Sequence, residues 1–238
     1  MRNIFRRKGK SWPLYLLRLM ALAVAAFIAF SVFITVLFRF VNPPLTPLMV
    51  KMAMEKHKNG ERYGITKTWK DLDEISPQLV LAVVAAEDNR FLEHHGFDMK
   101  AIKDAQEHNK KSRRKRGAST ISMQTAKNVF LWPTRNYLRK GFEAWFTVLI
   151  EVFWGKERIM EVYLNVIEVG KGVYGAEAAA KKYYRIPAAR LSRGQAAMIA
   201  AALPNPRERN PANPSSYLSG RQQKILRIMR NVHEVRFH

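Results

Sequence analysis

The sequence predicts a mainly α-helical protein: one membrane-spanning helix, then a helical domain outside the bilayer. Three observations carry that prediction. Residues 19–38 are twenty residues without a charge, rich in Ala, Leu, Val and Phe. Beyond residue 75, segment after segment places apolar residues at three- and four-residue spacing. No Asn-Gly or Asp-Gly pair is flanked by alternating apolar residues, the usual mark of a hairpin.

The apolar run comes first. At about 1.5 Å per residue it spans roughly 30 Å, the thickness of a bilayer's hydrocarbon core. A cleaved secretory signal would have a shorter apolar core and a small-residue cleavage site, and "FRFVNPP" supplies none. An uncleaved anchor is the reading. Arg2, Arg6, Arg7, Lys8, Lys10 and Arg18 precede it, whereas only Arg39 and, farther on, Lys51 follow. The positive-inside bias therefore puts a basic tail, residues 1–18, in the cytoplasm and the rest of the chain outside.

The chain has 238 residues and a net charge of +22, with no cysteine. The lack of thiols fits an oxidising compartment. Residues 41–238 hold 34 Lys and Arg against 19 Asp and Glu, enough for a basic domain with a real core. Outside a membrane, the anions open to such a domain are lipid headgroups or a phosphate-bearing lipid, and nucleic acid is set aside.

Proline-rich "NPPLTPLMV" (42–50) reads as a stiff exit from the membrane, within a membrane-proximal linker over 39–74. "SPQLVLAVVAAED" then opens a helix, with Ser76 as cap and Pro77 in the first turn. "HNKKSRRKRG" (108–117) is too charged to pack and is expected to be a mobile loop. Helical segments follow to "RGQAAMIAAAL", and after a proline loop comes an amphipathic basic helix. That last helix is expected to pack on the domain, with an anionic lipid surface as the alternative. No internal repeat is visible.

Three places carry candidate chemistry. In "VAAEDNRFLEHHGFD" (84–98) an apolar run stops on Glu87 and Asp88. The commoner reading is a helix tip reaching solvent; the alternative is a carboxylate at an apolar wall, tuned by desolvation for proton transfer. In "RGASTISMQTAKN" (116–128), Ser119 and Thr120 stand where a helix begins, with Lys127 two turns on. Free amides, hydroxyls and a cation there suit phosphate, although a plain cap is the bland account of Ser119. In "TRNYLRKGFEAWF" (134–146), Arg135, Arg139 and Lys140 precede Glu143, which lies in an apolar helix and needs a cation partner or a function. Glu151 has an equally apolar setting, so position alone does not choose between the two carboxylates. Trp132, Trp145 and Phe146 could dip into lipid, core packing being the commoner fate.

"EDNRFLEHHGFD", "GASTISMQTAKN", "RKGFE" and "KERIMEVYLNVIEVGKGVYGAEAAAKKYY" follow one another in the order and spacing of a known motif set. Over roughly residues 75–206 the chain resembles the peptidoglycan glycosyltransferases (glycosyltransferase family 51). With a single anchor and no second domain, it is similar to their monofunctional biosynthetic members. A Ser-x-x-Lys match at Ser112 to Lys115 lies in the basic stretch, with no room for a transpeptidase around it.

The resemblance implies a lysozyme-like helical domain, here 75–238, that polymerises lipid II by an inverting transfer and releases undecaprenyl pyrophosphate. It implies Glu87 as the catalytic base and Glu143, rather than Glu151, as the second essential carboxylate. Ser119, Thr120, Gln124 and Lys127 are implied to hold substrate pyrophosphate, helped by Arg135, Arg139 and Lys140. Asp88, Phe91 and His94 look structural, and Lys156, Glu161, Tyr163 and Asn165 are expected to build the cleft. No cofactor is obligatory, with a divalent cation (Mg or Mn) bridging the pyrophosphate as an option. The implied setting is a bacterial inner membrane, single-pass, with the catalytic domain in the periplasm. The implied partners are lipid II, the growing glycan, the membrane and other wall-building proteins. Two positions depart from the pattern: Met123 replaces one of two glutamines, and Arg185 stands where a glycine is usual. A membrane-anchored adaptor without catalysis and a lysozyme-type hydrolase are the competing readings.

Overall fold

A computed structural model describes residues 12–60, 64–113, 115–134, 136–231 and 235–237. Ten α-helices dominate them: α1 (Trp12–Phe40), α2 (Pro47–Lys58), α3 (Pro77–Glu87), α4 (Met99–Lys111), α5 (Ile121–Phe130), α6 (Tyr137–Phe153), α7 (Gly155–Val166), α8 (Ala176–Tyr184), α9 (Arg193–Ala202) and α10 (Ser216–Asn231). Arg135, an expected site residue, lies outside the described residues.

Helix α3 is the centre of the core. Ser76 caps it through the amide of Gln78 and Pro77 opens its first turn, as the sequence predicts. Leu79, Val80 and 82–85 are all buried, because α3 packs against α9 on one side and α10 on another. The small side chains of α9, "AAMIAAA", let its neighbours approach closely. The C-terminal helix α10 packs as expected, burying Leu218, Ile225 and Met229 against α9 and α3. Helix α5 sits on the opposite flank, between α6 and α7.

Helix α1 is long and apolar enough to cross a bilayer, with a best-window hydropathy of 2.7. Its second half is docked on the domain. The indole of Trp145 on α6 donates to Ser31 Oγ at 3.0 Å, and that of Trp154 donates to the Thr35 carbonyl at 2.6 Å. The Arg158 guanidinium donates to the Phe38 carbonyl at 2.9 Å, where α1 runs out of internal partners for its last carbonyls. Of the three aromatics considered for lipid contact, Trp145 therefore packs on the anchor. Phe146 is buried against Phe130, with ring centroids 4.4 Å apart, and Trp132 alone is 40% exposed.

Two features differ from expectation. A small sheet of order β1-β3-β2 is present, with β1 (Thr66–Lys67) parallel to β3 (Val173–Tyr174) and β2 (Glu168–Gly170) antiparallel to it. The hairpin turns at Lys171-Gly172, a pair that an Asn-Gly or Asp-Gly test passes over. Gly172 has φ +73, and a Cβ there would stand 2.7 Å from the Gly64 carbonyl. The basic stretch 108–117 is also not one loop, because its first four residues are the last turn of α4. Their cations suit the negative end of the helix, and Asn109 then holds the returning chain by the Arg116 amide at 2.7 Å. Arg185, the departure from glycine, ends α8 with φ 58, the left-handed conformation that glycine adopts without strain.

Candidate active site

The C-terminus of α3, the N-terminal half of α5 and the first turns of α6 meet at two adjoining cavities. The first, about 310 Å³, is lined by Ser119, Gln124, Lys127, Asn128, Arg139, Lys140 and Glu143, with Leu48, Leu131, Trp132, Pro133 and Thr134 completing it. The second, about 370 Å³, is lined by Glu87, Asp88, Asn89, Asp98, Asp104, Arg116, Ser119 and Thr120 among others. Ser119 lines both, and Gln124 joins them by donating its Nε2 to Glu87 Oε2 at 2.9 Å. One cavity is rich in cations and the other in carboxylates.

Glu87 ends α3 with 13% of its side chain exposed. Burial pushes its carboxyl pKa up, and the Gln124 hydrogen bond, then Arg221 and Lys127, hold it down, with Asp88 pushing up again. Oε1 is buried and has no hydrogen-bond partner. A carboxylate so placed holds a proton more tightly than an exposed one, which suits a general base.

Glu143 has the opposite surroundings. It is 3% exposed, and both its oxygens are taken, Oε2 by Arg139 at 2.7 Å and Oε1 by Lys140 at 2.5 Å. Arg139, four residues earlier on α6, is thus one of the cation partners that an apolar setting demands of Glu143. Here the pair is buried, so it organises the cavity as well as neutralising Glu143. Lys127 stands between the two glutamates. Burial lowers its ammonium pKa, Glu143 raises it, Arg139 and Lys140 lower it, and Glu87 raises it. Arg139 Nε is buried without a hydrogen-bond partner, a donor left for an anionic ligand.

Other expected residues serve the walls. Thr120 is the N-cap of α5, accepting from the Met123 amide, and its hydroxyl donates to the Gly96 carbonyl at 2.6 Å. Both uses commit it to structure, whereas Ser119 is exposed to the cavities. Asp88 accepts from the Ile121 amide at 3.0 Å and pairs with His94 at 2.9 Å, tying the end of α3 to the start of α5. Phe91 is buried under the Lys156 ammonium, 4.6 Å from its ring centre, and Lys156 pairs with Glu151 at 2.7 Å. That pairing, with a hydrogen bond from Ser122, occupies Glu151 away from both cavities. Tyr163 is wholly buried with its hydroxyl 3.5 Å from Gln124 Oε1. Glu161 pairs with Arg158, and Asn165 clamps both backbone groups of Lys70. Met123 is buried in the core, so the residue that replaces a glutamine faces neither cavity.

Arg221 was not anticipated. It comes from α10 to within 3.8 Å of Glu87. A signal was there to read: it falls three residues after Leu218 and four before Ile225, a cation inside an apolar stripe.

Each Glu143 oxygen accepts from one cation, and the described residues contain no group of three or more His, Cys, Asp or Glu placed to hold a metal by themselves.

The chain is similar to known proteins along most of its length. The transglycosylase family profile matches residues 55–230. A biosynthetic peptidoglycan transglycosylase of Bacteroides thetaiotaomicron is 55% identical over 85% of this chain and 82% of its own. Its namesake in Bdellovibrio bacteriovorus is 55% identical over 86% of this chain and 82% of its own, and one in Caulobacter vibrioides is 52% identical over 88% and 90%. The match spans both glutamates and the lysozyme-like helical core, and the chain belongs to the transglycosylase family.

Proposed function

We propose that this protein is a membrane-anchored peptidoglycan glycosyltransferase that polymerises lipid II into β-1,4-linked glycan. One observation carries the reading: a desolvated carboxylate and a cluster of three cations meet in one cleft beside a bilayer-length helix. The acceptor's C4 hydroxyl gives its proton to Glu87, and its oxygen forms a bond to the donor's C1. The bond from C1 to the phosphate oxygen breaks with inversion, and undecaprenyl pyrophosphate leaves with the electron pair. General-base help of this kind is worth about 10²–10⁴-fold. The leaving group needs charge stabilisation rather than a proton, which suits Lys127, Arg139 and Lys140 with the Ser119 hydroxyl. A glycoside hydrolase would need a neutral acid instead. Glu143 keeps the two α6 cations in place, and no step runs through a metal.

The substrate's polyprenyl tail has a route. An apolar groove shares Trp132, Pro133 and Thr134 with the cationic cavity and reaches Phe38, near the end of the anchor. Tethering confines enzyme and lipid substrate to one surface, which raises their effective concentration. The charge bias about residues 19–38 puts the N-terminus in the cytoplasm and the catalytic domain, 75–238, in the periplasm of a cell with an inner membrane.

A polymerisation assay on purified lipid II with the full chain in detergent tests this. Long glycan and free undecaprenyl pyrophosphate are expected, with Glu87→Gln inactive. Full activity of Glu87→Gln, or soluble muropeptides released from purified wall in place of polymer, would overturn it.

A further inference from the structure

Helix α10 brings one polar side chain to the catalytic cleft from behind. Leu218, Ile225 and Met229 pack it against α3 and α9, and Gln222 pins it by donating to the Gly194 carbonyl at 2.8 Å. Arg221 lies on this packed side. Its Nη2 stands 3.8 Å from Glu87 Oε1, beyond hydrogen-bond reach yet close enough for a strong charge interaction in a partly dry site. Glu87 Oε1 and Arg221 Nε are each buried without a hydrogen-bond partner. Oε2, by contrast, is held by Gln124, which lines the cationic cavity. The carboxylate thus has a bonded side and a side faced only by a cation.

We propose that Arg221 is a positioning residue for the transfer reaction: it backs Glu87 from the buried side, keeping it ionised and oriented while Oε2 meets the acceptor hydroxyl. Arg221 Nε is buried without a hydrogen-bond partner although the side chain as a whole is 29% exposed, and a place behind the base accounts for that unmatched donor. The other charged or titratable groups facing Glu87 are Asp88 just past the end of its own helix, Lys127 on α5 and Tyr163 on α7. Lys127 also faces Glu143 and burial lowers its pKa, whereas the one ion pair of Arg221 among the described residues is with Glu87. The inference rests on Glu87 acting as the base.

The test is the pH dependence of lipid II polymerisation by the full chain, comparing wild type, Glu87→Gln, Arg221→Gln, Arg221→Lys and, as a control for charge on α10, Lys224→Gln. Without the cation Glu87 is harder to ionise, so the acid limb of the Arg221→Gln profile moves to higher pH. Every pH unit of that move costs tenfold in rate below the limb. The loss at pH 6 is therefore expected to be about tenfold or more and to shrink toward pH 9, with KM little changed. Arg221→Lys restores most of the low-pH rate, and Lys224→Gln keeps the wild-type profile. A uniform fall in rate with an unmoved acid limb would sink the proposal. So would failure of Arg221→Gln and Arg221→Lys alike to fold, since the role would then be structural. If wild type makes no polymer or Glu87→Gln stays active, the proposed function itself has failed, and the two failures are told apart.

Discussion

At the α3 wall of the cleft a glutamate ends an apolar helix, one oxygen on Gln124 and the other without a hydrogen bond. At the α6 wall a glutamate lies within its helix, both oxygens on cations. The side chain is the same and both are largely buried. The difference lies in what burial is matched against. For Glu87 desolvation outweighs its partners and the proton is held more tightly; Glu143 has two ion pairs in hydrogen-bonding range to answer its burial. One carboxylate is therefore short of partners and suited to take a proton, and the other is held by two ion pairs and arranges cations.

The largest break of this comparison is Glu87→Gln. Polymerisation should fall about 10²–10⁴-fold. Folding should respond the other way. A carboxyl whose folded pKa is raised favours the protonated form, so it costs stability once the pH exceeds that value and costs nothing below the unfolded one. The variant's melting temperature should thus exceed wild type's at neutral pH, with the gain fading as pH falls through the raised pKa. By the same sign, wild-type activity declines on acidification through that value. Equal melting temperatures at neutral pH would show that Glu87 is not strained.

Glu143→Gln comes next. It leaves Arg139 without its buried counter-charge and should cost about 3 kcal/mol in stability as well as activity. Denaturant unfolding checks this, and a variant as stable as wild type would erase the contrast between the walls. Smaller is the split between neighbours at the joint of the cavities. Thr120→Ala should cost about 1–2 kcal/mol through the lost cap of α5, whereas Ser119→Ala should leave stability within about 0.5 kcal/mol and raise KM. Smallest is Arg185→Gly, outside both cavities. Relief of the left-handed strain less glycine's freedom in the unfolded chain gives a net gain of about 0.5 kcal/mol with unchanged kcat.

Much of this cleft could be read from the chain because its parts are local. An apolar run ending on Glu87, small residues opening α5 and cations one turn before Glu143 are patterns within a dozen residues. What escaped was set by distant partners. The Lys171-Gly172 hairpin is held by pairing with Thr66, across roughly a hundred residues. Residues 108–111 were read as loop because the charge of Lys110 and Lys111 was weighed without the helix end that they complement. Arg221 was visible as a cation in an apolar stripe, yet nothing in α10 says which helix that stripe meets.

The sequence by itself determined the anchor, the helical class and the residues that carry charge, because length, periodicity and capping act over a few turns. Only the tertiary structure decided which carboxylate would be left short of partners. The ion pairs of Glu143 lie within α6, but the burial of both groups and the neighbours of Glu87 depend on what α5 and α10 bring alongside from separate parts of the chain.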